Sequence, residues 1–355
     1  MLFLGAGASA PFGISTMQKL TEDVSRLLKD KGFEDEYRSI ASALTRFNLT
    51  PDFEGIFAVL NAWTDPTRTI HELGPFAAVM ANELNEAQIR PKKEFRELIL
   101  EIKKLLVQKC RNPNMSAGVQ TYDKLFETLA TTGDVLVRPN QRTGLQTGNF
   151  IQVPGRPRLR TQDTFTLNYD LVIERYFAER GIGDNLCTGF TPRGMEFVYR
   201  PEAYTYASGK TNLIKLHGSI DQFFRKDTIE KAVAPPEASY YTKEVLGEMM
   251  IYPVQEKYVT RNPYFQLYSL LRHWLATDVL CIIIGYSFRD EAVNNAFIDG
   301  LSSNANLKMI YVSPNASRDI LNLGNAGRRI HCMDRKFGED EILGELKNAI
   351  ENWLP

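Results

Sequence analysis

Apolar residues recur along this chain with two different spacings, and their order along the chain sets the fold. Residues 1–4 form a short apolar run that stops abruptly at Gly5 and reads as a buried strand, one that upstream residues would extend. Beyond a glycine-rich turn, Ile14, Met17, Leu20, Val24, Leu27 and Leu28 return at helical spacing, with Ser15 and Gln18 as a capping box and Gly32 as the stop. From 33 to 133 the pattern stays helical and amphipathic, as in Phe95, Leu98, Ile102, Leu105 and Leu106. An alternating parallel sheet would have supplied a clear strand signal there, so this stretch reads as an insertion of helices.

Strand-like runs resume at 164–167, 213–216, 279–284 and 309–312, with a weaker one at 329–333. Between and after them, Leu171, Val172, Tyr176 and Phe177 make one helical face ending at Gly181, and Ile342, Leu343, Leu346, Ile350 and Trp353 make the last. The pattern predicts an α/β fold: a Rossmann-like parallel sheet with a helical insertion as a second lobe. Residues 1–32 open the sheet domain, 33–160 are the helical insertion with a basic loop, and 161–355 complete the sheet.

A length of 355 residues suits two lobes, and 43% hydrophobic with 24% charged residues is the mixture of a soluble globular protein. The formal net charge of -1 provides no global field toward nucleic acid or an anionic membrane. The local exception is 137–160, with Arg138, Arg142, Arg156, Arg158 and Arg160 and no acidic residue. It reads as an exposed basic loop or hairpin, first of all a solvated one, with contact to a phosphate, a partner or nucleic acid as the alternative. Cys110, Cys187, Cys281 and Cys332 include no C-x-x-C pair, so no zinc is expected, and Cys281 reads as a buried reduced thiol of a cytoplasmic protein. The longest apolar run, 279–284, is too short to cross a bilayer, and no signal-peptide pattern opens the chain.

The chemically unusual residues stand just beyond the apolar strands: Gly5, Asn168, His217, Gly285 and Ser313. Ligands of open parallel sheets bind there, where loops and helix N-termini converge. Gly5-Ala6-Gly7-Ala8-Ser9-Ala10 fits the dinucleotide fingerprint with alanine last, the glycines allowing a tight turn and close approach of a pyrophosphate. That fingerprint expects an acidic residue at the end of a second strand. Glu22, Asp23 and Asp30 instead fall in or at the end of a helix, which counts against an ordinary dehydrogenase. Taken singly, Asn168 reads as a turn cap and His217 as a satisfied buried histidine; together, behind a glycine turn, they point to a site.

A glycine-alanine-glycine turn, then Thr164-Phe165-Thr166-Leu167-Asn168-Tyr169-Asp170, then Ile214-Lys215-Leu216-His217-Gly218-Ser219, resembles the NAD site of the sirtuins in content and order. Through Gly13-Ile14-Ser15-Thr16-Met17, Phe53-Glu54 and Gly285-Tyr286-Ser287-Phe288-Arg289-Asp290 the chain further resembles the sirtuin-like NAD hydrolases of bacterial antiviral defence systems. The resemblance covers the N-terminal turn and helix and most of 163–315. Deacylase sirtuins carry two C-x-x-C pairs and an Asp-Phe-Arg segment after the first turn. This sequence has neither, and a longer excursion separates Asn168 from His217.

The resemblance implies an NAD+ glycohydrolase for which NAD is the substrate and no metal is needed. Asn168 would hold the nicotinamide ribose and orient a water, His217 would act as base, and Asp170 would bind the carboxamide. The backbone of Gly5, Ala6, Gly7, Ala8 and Ser9 would cradle the pyrophosphate with Thr166 beside it, while Gly285, Tyr286, Ser287 and Ser313 or Asn315 would line the adenosine side. The product would be ADP-ribose or its cyclic form. By the same analogy the enzyme would be a homo-oligomer, an NAD-depleting effector gated by assembly or by a partner such as a HerA-type ATPase or a short Argonaute. The alternatives are a non-catalytic NAD or ADP-ribose sensor and, less favoured, a deacylase. Three further features keep two readings each: Asp290 as helix cap or ligand contact, Lys215 as phosphate ligand or paired strand lysine, and Phe53-Glu54 as cover for the nucleotide or part of the inserted helices.

Overall fold

The computed structural model describes residues 1–47, 49–64, 92–131, 150–151, 159–160, 163–194, 196–204, 210–225, 228–231, 247–248, 263–339 and 341–353. The strands, in chain order, are β1 (Leu2–Leu4), β2 (Phe150–Ile151), β3 (Leu159–Arg160), β4 (Thr164–Thr166), β5 (Leu186–Cys187), β6 (Phe190–Arg193) and β7 (Glu196–Tyr199). They continue with β8 (Thr211–Lys215), β9 (Gln222–Arg225), β10 (Thr228–Lys231), β11 (Gly247–Glu248), β12 (Leu280–Ile284), β13 (Lys308–Ser313) and β14 (Ile330–Asp334). Seven of them form the main sheet in the order β14-β13-β12-β1-β4-β8-β5. Every pair in it is parallel, so the chain is an α/β protein with a Rossmann-like sheet. The six strands expected from the apolar runs are all present, displaced by no more than a residue or two.

The sheet is buried on both faces, which is why its strands read as continuous apolar runs. Alternation along β1 sends Leu2 and Leu4 into one core and Phe3 into the other. The first core is closed by the helices Met115–Thr131, Val172–Glu179 and Ile342–Trp353, with Phe126 stacked on Tyr176 at 5.3 Å. The second face is covered by the helices Tyr264–Thr277 and Glu291–Ser303. Cys281 lies in that layer, and burial pushes its thiol up to about 12, so it stays an unreactive thiol at neutral pH.

A separate apolar cluster joins the helices Met17–Asp30, Glu34–Arg46, Phe53–Thr64 and Lys92–Arg111, with Leu20, Val24, Phe57, Phe95 and Ile102 at its centre. Leu171 and Ile220, from the loops after β4 and β8, pack into the same cluster, so the inserted helices rest on the strand ends. The helix Met17–Asp30 is capped by Thr16, whose hydroxyl accepts from the Lys19 amide at 3.5 Å, one residue later than the expected Ser15 box.

The excursion between β4 and β8 contains β5, β6 and β7, and the last two belong to a five-stranded antiparallel sheet of order β11-β9-β10-β7-β6. The sequence pattern gave no warning of that sheet, because its strands are short and partly exposed. β6 even contains Pro192, tolerated because β6 is an edge. Within the basic segment, β2 and β3 pair antiparallel, in keeping with a hairpin, and the rest of that segment lies outside the described residues. No helix among the described residues is long and apolar enough to cross a membrane.

Candidate functional site

β1 is flanked by β4 on one side and β12 on the other, so the chain reverses its direction across the sheet at β1. The carboxyl ends of β1 and β12 are therefore where a crevice opens and where a ligand belongs in such a sheet. Two glycine turns meet there. The Gly5 amide donates to the Ile284 carbonyl at 2.9 Å, Gly7 to Gly285 at 2.9 Å, and Gly285 to Val312 at 2.8 Å. A Cβ on Gly5 would stand 2.5 Å from the Gly285 oxygen, and one on Gly285, whose φ is +65°, would stand 2.5 Å from the Ala8 nitrogen. The first requirement for glycine is thus the contact of one turn with the other. The amides of Gly5, Gly7 and Ala8 are committed to backbone carbonyls, so the cradle expected from the whole stretch Gly5 to Ser9 is not formed by those three. Ala6 is exposed at the rim of the turn.

Asn168 connects this turn to β4. Its side-chain amide donates to the Gly5 carbonyl and to the Ser9 hydroxyl, each at 2.9 Å. With both amide protons engaged, Oδ1 is the atom through which Asn168 can accept from a water or a hydroxyl. Thr166 sets the strand end: its hydroxyl donates to the Leu4 carbonyl and accepts the Asn168 amide, both at 3.0 Å. That engagement makes Thr166 a tie between β4 and β1 rather than an open ligand group. Ser9, Asn168, Asp170, Glu174 and Lys215 share one small cavity under the turn.

Asp170 also faces inward. Its carboxylate accepts the Val172 amide at 3.0 Å, opening the helix Val172–Glu179, and accepts the Ser9 hydroxyl. Burial holds its pKa above the usual carboxylate range, and the opposing pull of Lys215 and of these hydrogen bonds does not overcome it. A folded-state value above the unfolded one means that Asp170 favours folding most at acid pH, and that this contribution is lost as pH rises through the raised value. Asp170→Asn keeps an oxygen for the Val172 amide and removes the buried charge. Its melting temperature at pH 8 is expected to equal or exceed that of the wild type, with the gap closing toward pH 4. A loss of about 3 °C or more at pH 8, on the order of 1 kcal/mol, would contradict this.

His217 ends β8 as Asn168 ends β4. The register pairs Thr166 with Lys215, so both residues stand two positions past a matched pair on adjacent strands. The imidazole is 4% exposed, and its Nε2 lies 2.8 Å from Asp290 Oδ2 and 3.3 Å from the Tyr268 hydroxyl. Asp290 caps the helix Glu291–Ser303 as well, taking the Val293 amide on Oδ1 at 3.2 Å. The sequence pointed to the cap and missed the histidine partner. A carboxylate with one oxygen to spare, at the end of a loop following a site strand, was the signal available.

The remaining residues divide. Lys215 is a paired strand lysine: it donates to the Asp170 carbonyl, to Glu174 at 3.0 Å and to Ser219 at 2.9 Å. Phe53 lies in the core of the inserted helices, while Glu54 is close enough to Tyr169, beside His217, to join burial in raising that phenol's pKa. Tyr286 is a core residue, its ring against Phe3 at 5.2 Å and its hydroxyl on Asn294 at 3.0 Å, so it does not line a ligand surface with its ring. Ser287 is half-buried in the same loop, and Ser313 lies one strand further out, 3.4 Å from Asp319.

Residues 162–325 match the family model described as a SIR2-like domain. Among solved structures, a Sir2 homologue in complex with ADP-ribose is 13% identical, over 100% of this chain and 92% of its own, with a TM-score of 0.47. A Sir2 homolog–NAD complex is 13% identical, over 100% and 90%, with a TM-score of 0.46. No curated protein matches the chain.

Proposed function

We propose that this protein is a zinc-independent NAD+ glycohydrolase. The observation that carries the reading is the bridge from Asn168 to Gly5 and Ser9, with His217 at the matching position of the neighbouring strand. It supports a site in which an amide oxygen and an imidazole act at the carboxyl ends of neighbouring strands, beside a glycine turn suited to a dinucleotide.

The chemistry asks little more of the protein. Nicotinamide in NAD is a pyridinium and departs as a neutral ring, so no general acid is needed. Asn168 Oδ1 would accept from the nicotinamide ribose or from the attacking water and fix its direction. His217 would remove the proton from that water or from a ribose hydroxyl. Asp170, through Ser9, would hold Asn168 in place, a role that its engagement with Ser9 favours over direct contact with the carboxamide. Capture by water gives ADP-ribose, and internal capture by a nucleophile of the adenosine half of the same molecule gives a cyclic product.

An enzyme that consumes NAD without control would harm its own cell. The proposal therefore includes gating, by self-assembly or by a partner such as a HerA-type ATPase or a short Argonaute, and a role as a cytoplasmic effector of antiviral defence. The test is chromatographic: the purified protein is incubated with NAD, alone and with candidate partners, and nicotinamide, ADP-ribose and cyclic ADP-ribose are measured. Stoichiometric release of nicotinamide with either nucleotide product is expected in at least one condition. Saturable NAD binding with no release in any of them would replace the enzyme by a sensor, and release that depends on an acyl peptide would make it a deacylase.

A further inference from the structure

Resting on that reading, we infer that Asp290 is a positioning residue that sets the tautomer of His217, holding Nε2 protonated so that Nδ1 carries the basic lone pair. An ionised carboxylate can only accept, so the 2.8 Å contact between Asp290 Oδ2 and His217 Nε2 requires the ring to donate there. The second group near Nε2, the Tyr268 hydroxyl, does not supply that proton. It hydrogen-bonds Asp290 itself, and burial together with Asp290 holds its phenol protonated, well above the usual tyrosine range. Asp290 thus accepts from His217, from Tyr268 and from the Val293 amide.

The loop carrying Asp290 is fixed from several sides. Tyr286 places its hydroxyl 3.2 Å from the Asp290 carbonyl, Asn294 donates to the Phe288 carbonyl at 2.8 Å, and the Tyr311 hydroxyl donates to the Tyr286 carbonyl. Phe288, two residues before Asp290, has φ of +51°, the sole non-glycine residue in that region among the described residues, and its buried ring packs against Tyr286 and Tyr311 at 4.8 Å each. Such strain persists where surrounding contacts over-determine a conformation, and it clusters at working sites. The same aspartate needed to start the helix Glu291–Ser303 could have been a serine; a carboxylate is what the histidine adds.

Asp290→Asn tests the inference because asparagine is as good a helix cap and keeps an oxygen for Val293. Its amide nitrogen would then face Nε2 and drive the proton to Nδ1. In full-length protein labelled with nitrogen-15 histidine, the ring signals of His217, identified by their disappearance in His217→Gln, are expected to report the Nε2-protonated form in the wild type and the Nδ1-protonated form in Asp290→Asn. A wild-type ring protonated on Nδ1 overturns the inference without need of any mutant. In NAD turnover, Asp290→Asn is expected to lower kcat by about 10²-fold or more with KM changed by no more than about threefold. An active wild type beside an equally active Asp290→Asn also overturns it. Absence of turnover by the wild type in every condition sinks the glycohydrolase reading, while the ring signals still decide whether Asp290 sets the tautomer.

Discussion

His217→Ala is expected to lower the rate of NAD cleavage by about 10²- to 10⁴-fold, the range a positioned acid–base group contributes, with the fold and NAD binding retained. Histidine is the side chain suited by its chemistry to proton transfer at neutral pH, and His217 is the imidazole that stands just past a strand end of the main sheet, at β8. Removing it leaves Asp290 with the Tyr268 hydroxyl and the Val293 amide, so the helix cap survives and the buried carboxylate is not stranded. Asn168→Ala is expected to lose activity by a similar factor but with weaker binding as well, because it also unties the glycine turn from β4. Nicotinamide release by each variant, read beside melting curves, checks both. A variant with wild-type turnover removes that residue from the mechanism.

Gly285→Val is expected to prevent stable folding. The added Cβ would lie 2.5 Å from the Gly7 and Ala8 backbone, and a backbone cannot swing aside as a side chain can. The φ of +65° adds about 1–2 kcal/mol of strain, and separating the turns breaks the bond from the Gly7 amide to the Gly285 carbonyl. The sum exceeds about 4 kcal/mol, at the extreme for one substitution. Gly13→Ala is the control: its φ is +73°, but nothing lies within 4 Å of the added carbon, so only the strain of about 1–2 kcal/mol is expected. Soluble yield and chemical denaturation compare the two. Equal stability would show that the contact between turns is not what selects glycine at 285.

The parts of the fold that were legible in the sequence are those dictated by burial. β12 and β13 are inner strands of the sheet with apolar layers on both sides, so their composition gives them away. The antiparallel strands beyond β5 carry no such signature: in β7 Val198 is buried while Glu196 and Phe197 are exposed, and their pairing is decided by partners distant in sequence. At the candidate site, Asn168 and His217 were legible from strand ends alone, and each stands two positions past the matched pair Thr166–Lys215 of the parallel strands β4 and β8. Which groups they engage did not follow. The pairing of His217 with Asp290 joins residues 73 apart through a loop whose course depends on a strained Phe288, and the link from Ser9 to Asp170 crosses from one strand to another. Tertiary contacts of that kind leave no periodicity to read.

The most direct measurement is a titration of NAD into catalytically silent His217→Ala protein, followed by backbone amide shifts. Saturable changes concentrated at Ala6, Ser9, Asn168 and Gly285 are the predicted result. Absence of saturable binding, or changes that map away from the ends of β1, β4 and β12, would contradict the account at its root.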